Sequence, residues 1–196
     1  MTRPTVVATK TGLVDLLAPD PASISIDAMA HHLAQLNRYA GALELPFSVA
    51  QHSVLTCEIF RLKTPDLPAI YALLHDAPRY LWGDMTRPAQ AALERELPDF
   101  GAVFQDLRQR TMGAIQDRFG LGRPTTEILA AVEIANDIAL ATEWRSFMPS
   151  ANGLCPVVVG AWRGIAPKPL PWTDAADLFK ATLYRELARC GAEVAA

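Results

Sequence analysis

The sequence predicts an all-α, single-domain bundle. Apolar residues recur at spacings of three and four along most of the chain, prolines and glycines divide it into helix-length segments, and extended patterning is confined to its start. The 196 residues, 51% of them apolar, suffice for one packed core. Pro4, Gly12, Pro19 and Pro21 make residues 1–24 an irregular arm, with at most a short strand through Thr5, Val6, Val7 and Ala8. Ser25 or Asp27 can cap a helix running to about Tyr39, because a side-chain oxygen there accepts from the unpaired amides of the first turn, and Gly41 ends it. Val49, Leu55, Ile59 and Leu62 mark an amphipathic helix from Ser48 to about Leu62, stopped by Pro65. A third helix, from about Asp66 to Ala77, has Leu67, Ile70, Tyr71 and Leu74 on one face and Pro78 behind it. Residues 80–88 read as a loop, and Pro88 suits the first position of the next helix.

Two longer helices follow. One spans roughly Asp99 to Phe119 and closes at Gly120 and Gly122; the other runs from Thr125 to about Phe147, with Thr125 or Thr126 as cap and Glu127 in its first turn. The second is apolar nearly all round, which predicts a central position. Residues 25–148 are therefore the expected helical core. Residues 149–196 are expected to be a wrap over the surface, rich in proline at 149, 156, 167, 169 and 171, and a last helix from about Asp174 to Cys190 that packs on the core.

The formal net charge of −3 and the scattered lysines and arginines leave no basic stripe, which excludes an extended footprint on duplex nucleic acid and favours a small-molecule partner. Cys57, Cys155 and Cys190 are odd in number and far apart, so neither a disulfide framework nor a zinc knuckle is expected. No apolar run reaches the roughly 18 residues of a membrane span, and the start of the chain lacks an apolar signal segment, so the expected compartment is the cytoplasm.

The four histidines all lie within the first 75 residues. His52 shares a helix face with Val49, Leu55 and Ile59, and His75 follows Tyr71 by one turn with Asp76 beside it, so one helix end offers an imidazole and a carboxylate together. Asp137 has Ile134, Leu140, Ala141 and Trp144 as helical neighbours, which predicts burial; an ionised carboxylate there needs a cation or an ion-pair partner. His52, His75, Asp76 and Asp137 form a mixed nitrogen and oxygen set that suits one divalent Mn, Co, Fe, Ni or Zn ion and suits calcium poorly. On spacing alone a second reading stands equally: a hydrogen-bonded core histidine and a His-Asp pair adjacent by chance.

The order and context of these residues resemble a known pattern. Ser48-Val49-Ala50-Gln51-His52-Ser53-Val54, then Leu73-Leu74-His75-Asp76-Ala77-Pro78, then Trp82-Gly83-Asp84, and later the stretch from Ala135 to Glu143 containing Asp137, look like the H…HD…D pattern of the HD-domain phosphohydrolases. The resemblance is closer to the branch of small 5'-deoxynucleotidase-like enzymes, whose N-terminal region is also similar to Thr9–Leu17, His31 and Asn37-Arg38-Tyr39. It implies an all-helical HD-type fold with a central metal cleft, a homodimer, and His52, His75, Asp76 and Asp137 as ligands of one divalent metal. The implied reaction is hydrolysis of a (deoxy)nucleoside 5'-monophosphate through a metal-activated water. The alternative substrate is a deoxynucleoside triphosphate, cleaved to release triphosphate.

The resemblance further implies that Arg38 holds the phosphate, with Tyr39 against sugar or base, and that Asp84 takes part in catalysis. One position departs from the pattern. Family members place a glutamate three residues after the doublet aspartate, where this chain has Arg79, which cannot serve as a general base at neutral pH. Asp84 is then the expected proton-transfer group with Arg79 contacting phosphate, or else the chain is a catalytically weak nucleotide-binding module. His31 is expected to make a structural hydrogen bond, Glu133 to lie on the surface, and Trp82, Trp144, Trp162 and Trp172 to be core or cover residues.

Overall fold

Ser48 sets the boundary on which the architecture turns. Its hydroxyl accepts from the Gln51 amide while the Gln51 side chain reaches back to the Ser48 amide, and this reciprocal cap starts helix α2, Val49–Lys63. The computed structural model describes residues 4–148 and 155–192; the first three residues of the expected arm, residues 149–154 of the expected wrap and residues 193–196 lie outside it. The remaining helices are α1 (Ile26–Gln35), α3 (Ile70–Leu74), α4 (Arg79–Trp82), α5 (Arg87–Glu96), α6 (Phe100–Arg118), α7 (Thr126–Phe147) and α8 (Trp172–Arg189). Among the described residues the protein is all-α apart from one small hairpin.

The first strand of that hairpin lies within a residue of the short strand expected in the arm, and the second goes beyond the expectation. Strands β1 (Val6–Thr9) and β2 (Gly12–Asp15) pair antiparallel, with Val7 opposite Val14 and Thr9 opposite Gly12. The Thr9 hydroxyl bonds the Gly12 carbonyl across the turn, and buried Val14 ties the hairpin to the core. A two-residue turn between short alternating runs carries a weak periodic signal, which the nearby prolines mask.

Helix α2, not α7, is the central element: it packs on α1, α3, α7 and α8. It is buried on every side from Val49 to Cys57, and Leu62, expected on its inward stripe, is 61% exposed. Helix α7 shows one buried stripe through Ile128, Val132 and Ala135, then is buried all round from Ile138 to Glu143. Its Leu129 and Ile134 face solvent. An apolar surface all round a helix does not say which flank its neighbours cover, so the expected centrality of α7 holds only for its second half.

The expected helix over residues 66–77 is interrupted. Helix α3 stops at Leu74, and after a turn the chain restarts as α4 with Pro78 at its cap, because a proline lacks the amide that would continue the ladder. The break sets His75 and Asp76 at a helix end and Arg79 one turn beyond. Helix α5 has no buried residue and leans on α6. Residues 155–171 cross the outside: Lys168 O accepts from Gln51 Nε2 at 2.8 Å, and the Trp162 amide donates to Thr142 Oγ1 at 2.8 Å.

Phe179 of α8 is fully buried, so Phe179→Ala is expected to lower stability by about 3–5 kcal/mol. Ile134→Ala, on the exposed flank of α7, is expected to change it by less than about 0.5 kcal/mol. Urea unfolding midpoints check both, and a large loss from Ile134→Ala would show that this flank is covered.

Candidate metal centre

The site is built around Glu143, a carboxylate with no solvent exposure in the buried half of α7. Its Oε1 lies 2.6 Å from His52 Nδ1; its Oε2 accepts from Tyr39 Oη at 2.8 Å and from Arg38 Nε at 3.2 Å, with Arg38 Nη2 at 3.1 Å. Burial alone would raise the Glu143 pKa, but Arg38, His52 and Tyr39 together bring it down to about 2. Being ionised, Glu143 only accepts, so His52 must donate from Nδ1 and present a lone pair at Nε2. Burial, assisted by Arg38, lowers the His52 pKa to about 4 and keeps the imidazole neutral.

Arg38 and Tyr39 reach Glu143 through an unusual turn. The Arg38 amide donates to Phe47 O, and Asn37 bridges Ser48, which brings this segment to the start of α2. Tyr39 and Ala40 then take left-handed conformations at φ 57° and 51°. For side chains with a Cβ this costs about 1–2 kcal/mol per residue. The turn lays the Tyr39 ring beside the Arg38 guanidinium and edge-on to Trp144.

His75 is oriented by local backbone. Where α3 ends, its last carbonyls lack helical partners, and Ala72 O takes the His75 Nδ1 proton at 2.8 Å. The His75 lone pair is therefore also on Nε2. Asp76 Oδ2 lies 3.4 Å from His75 Nε2 and 3.6 Å from His52 Nε2. All three atoms are buried without a hydrogen-bond partner, and one ligand atom from each residue falls within 4.8 Å of the others. Three donor atoms thus converge on one buried point, and a divalent cation there would take all three. Burial opposes ionisation of Asp76, but His75, Arg79 and His52 hold its pKa well below the usual carboxylate range.

Asp137 is not brought to this group. Its side chain is 27% exposed and pairs with Arg87 Nη2 at 3.3 Å, at the start of α5. Between residues 137 and 143 an α-helix turns by about 600°, leaving the two carboxylates about 120° apart around the axis. The fully buried carboxylate of this helix is Glu143, whereas Asp137 is half-buried and paired with Arg87.

Arg38 and Tyr39, expected on substrate, both bond Glu143. Arg79 bridges two carboxylates: its Nε lies 2.7 Å from Asp76 Oδ1, and its Nη1 donates to Asp84 Oδ1. Arg108 of α6, which no motif marks, approaches the same Asp76 oxygen with Nη2 at 3.8 Å. Two surface hollows, of about 400 Å³ beside α6 and about 500 Å³ between the end of α1 and the start of α8, are lined by other residues. His31 meets Gln35 and the Trp172 ring, His32 bonds Tyr80 O through Nδ1, and Glu133 lies on the surface.

Removing the Glu143 charge should leave Arg38 buried and uncompensated, so Glu143→Ala is expected to lose about 3–5 kcal/mol of stability, whereas Glu133→Ala should be near neutral. The folded-state pKa of His52 lies below its unfolded value, as does that of Glu143, so the unfolded chain binds more protons in acid. Stability of the metal-free protein should therefore fall as pH drops from 6.5 toward 4 through His52, and further below 4.5 through Glu143. Denaturant titrations across that range check the sign; a midpoint that rises toward acid would contradict it.

Among the described residues, no helix is long and apolar enough to cross a membrane. No family model matches the chain. It is 39% identical over 113 residues to an uncharacterized protein of Rhodobacter capsulatus, an alignment covering 55% of this chain and about half of that relative, 54%. It is also 31% identical over 137 residues to the uncharacterized protein YfdR of Escherichia coli K12, covering 70% of this chain and 68% of YfdR. That identity, sustained over more than two thirds of both sequences, makes the chain a member of the family that includes YfdR.

Proposed function

We propose that this protein is an HD-type metal-dependent phosphohydrolase acting on a phosphate monoester, most simply a (deoxy)nucleoside 5'-monophosphate. The observation that carries the reading is the convergence of His52 Nε2, His75 Nε2 and Asp76 Oδ2, each buried and, among the described residues, without a hydrogen-bond partner. These residues would hold one Mn, Co, Fe, Ni or Zn ion, and Asp137 is available as a further carboxylate once it leaves Arg87. When bound, such an ion acts as a Lewis acid that acidifies a water and polarises a phosphoryl oxygen.

The chain's own residues do the rest. Glu143 and Ala72 O fix the tautomers of His52 and His75, as carboxylate and carbonyl partners do for metal-binding imidazoles. Asp84, paired with Arg79, is the proton-transfer group, and Arg79 offers its remaining donors to a phosphoryl oxygen. A homodimer, a cytoplasmic location and triphosphate as an alternative leaving group belong to the same reading.

A second reading draws on Arg79. Its bridge between Asp76 and Asp84 ties up the proton-transfer carboxylate, which favours a nucleotide-binding module with weak catalysis. Arg79→Glu separates the two: a gain in turnover supports the weak module, and a loss makes Arg79 part of a working site.

Elemental analysis of the purified protein should find one transition metal per chain, and His75→Ala should abolish it. With that metal, deoxynucleoside monophosphates should release inorganic phosphate, and Asp84→Asn should lower kcat by about 10²–10⁴. Protein free of bound metal and inactive with every divalent ion offered would sink the proposal.

A further inference from the structure

The two oxygens of Asp76 face different surroundings. Oδ2 points to the convergence with His52 and His75, while Oδ1 faces two guanidiniums from different helices, Arg79 of α4 at 2.7 Å and Arg108 of α6 at 3.8 Å. Arg79 is satisfied by Asp76 and Asp84. Arg108 is not: its nearest carboxylate oxygen lies beyond hydrogen-bond reach, and its Nε is buried with no acceptor. A buried guanidinium nitrogen without an acceptor is unfavourable, and an anion at this place relieves it.

Arg108 is also held in place. Its guanidinium lies over the Phe104 ring at 5.9 Å, and Phe104 stacks on Phe100 and meets Trp82 edge-on. The Arg79 and Arg108 side chains are 20% and 23% exposed, against 5% for Asp76 and none for His52 and Glu143, so the two arginines stand on the solvent side of the cluster.

The charge balance points the same way. The connected cluster holds Arg38, Arg79 and Arg108 against Asp76, Asp84 and Glu143, which is neutral with neutral imidazoles. A divalent cation would leave two positive charges, and a phosphomonoester carries two negative charges once its second proton is lost above about pH 6. A monoester also has three unsubstituted oxygens, enough for the metal and one for each arginine, whereas a diester has two oxygens and a single charge.

Building on the phosphohydrolase reading, we propose that Arg79 and Arg108 form a two-armed subsite for a terminal, dianionic phosphoryl group, and that Arg108 selects monoesters over diesters. The test uses the full chain loaded with metal and two probes it cannot hydrolyse quickly: phenylphosphonate, a dianion with three free oxygens, and dimethyl phosphate, a monoanion with two. Calorimetric titration should show wild-type protein binding phenylphosphonate far more tightly than dimethyl phosphate. Arg108→Gln should weaken phenylphosphonate by about tenfold or more while leaving dimethyl phosphate within about twofold, and Arg108→Lys should restore part of the loss.

Bound metal and thermal midpoint are measured on every sample. Wild-type protein that binds both probes alike overturns the inference without any variant. So does an Arg108→Gln protein that keeps its metal and midpoint and binds phenylphosphonate as wild type does. Absence of metal from the wild-type protein overturns the phosphohydrolase reading itself, and the metal content shows which of the two has failed.

Discussion

The contact between Glu143 and His52 is the constraint on which the site depends. A carboxylate with no solvent exposure is tolerated only if its oxygens are fully occupied, and here an imidazole, a guanidinium and a phenol occupy them. Because Glu143 is the acceptor, His52 has one tautomer and one free lone pair, aimed at Asp76. Three segments distant in sequence are joined by this one group: the turn after α1, the first turn of α2 and the buried half of α7. None of these can shift without leaving a buried charge unpaired.

Around that contact the local features become consistent. The left-handed turn at Tyr39 and Ala40 is strained by itself, yet it is the geometry that delivers both Arg38 and Tyr39 to Glu143 Oε2. The break between α3 and α4 forfeits helical hydrogen bonds at Pro78, yet it frees the Ala72 carbonyl to orient His75 and starts α4 at Arg79, beside Asp76. Local departures from regular structure thus sit at the two points where the convergence is assembled, while α1, α2 and α8 supply regular packing behind it.

Much of this was legible in the chain. Ser25, Ser48 and Thr125 cap the helices expected of them, since a cap depends on neighbouring residues alone. His52, His75 and Asp76 could be grouped because a helix face and an adjacent pair are local relations too. Less legible are the relations that are long-range. Asp137 and Glu143 occupy the same apolar helix, and the energetic argument for a buried carboxylate applies to both; only the packing of α7 on α2 decides which is covered. Arg38 and Tyr39 read as ligands for a substrate because of the family resemblance, and their partner Glu143, more than a hundred residues away, has no signature near them. Arg108 lies mid-helix in a segment without motif, and its place beside Asp76 comes solely from how α6 packs.

Arg79 is best understood through this same balance of charge. A glutamate at its place would stand beside Asp76 and Asp84 as a third carboxylate, and the three would repel one another in the absence of a cation. With arginine there, Asp76 and Asp84 are both neutralised within the chain, and the protein can hold its site together before any ion arrives. If the proposed metal binds, a site balanced without it becomes net positive, which favours an anion able to face the metal and the arginines at once. On this view the substitution moves the demand for charge from the metal to the ligand, and Arg108, oriented on Phe104 with an unfilled donor, is where that demand is felt.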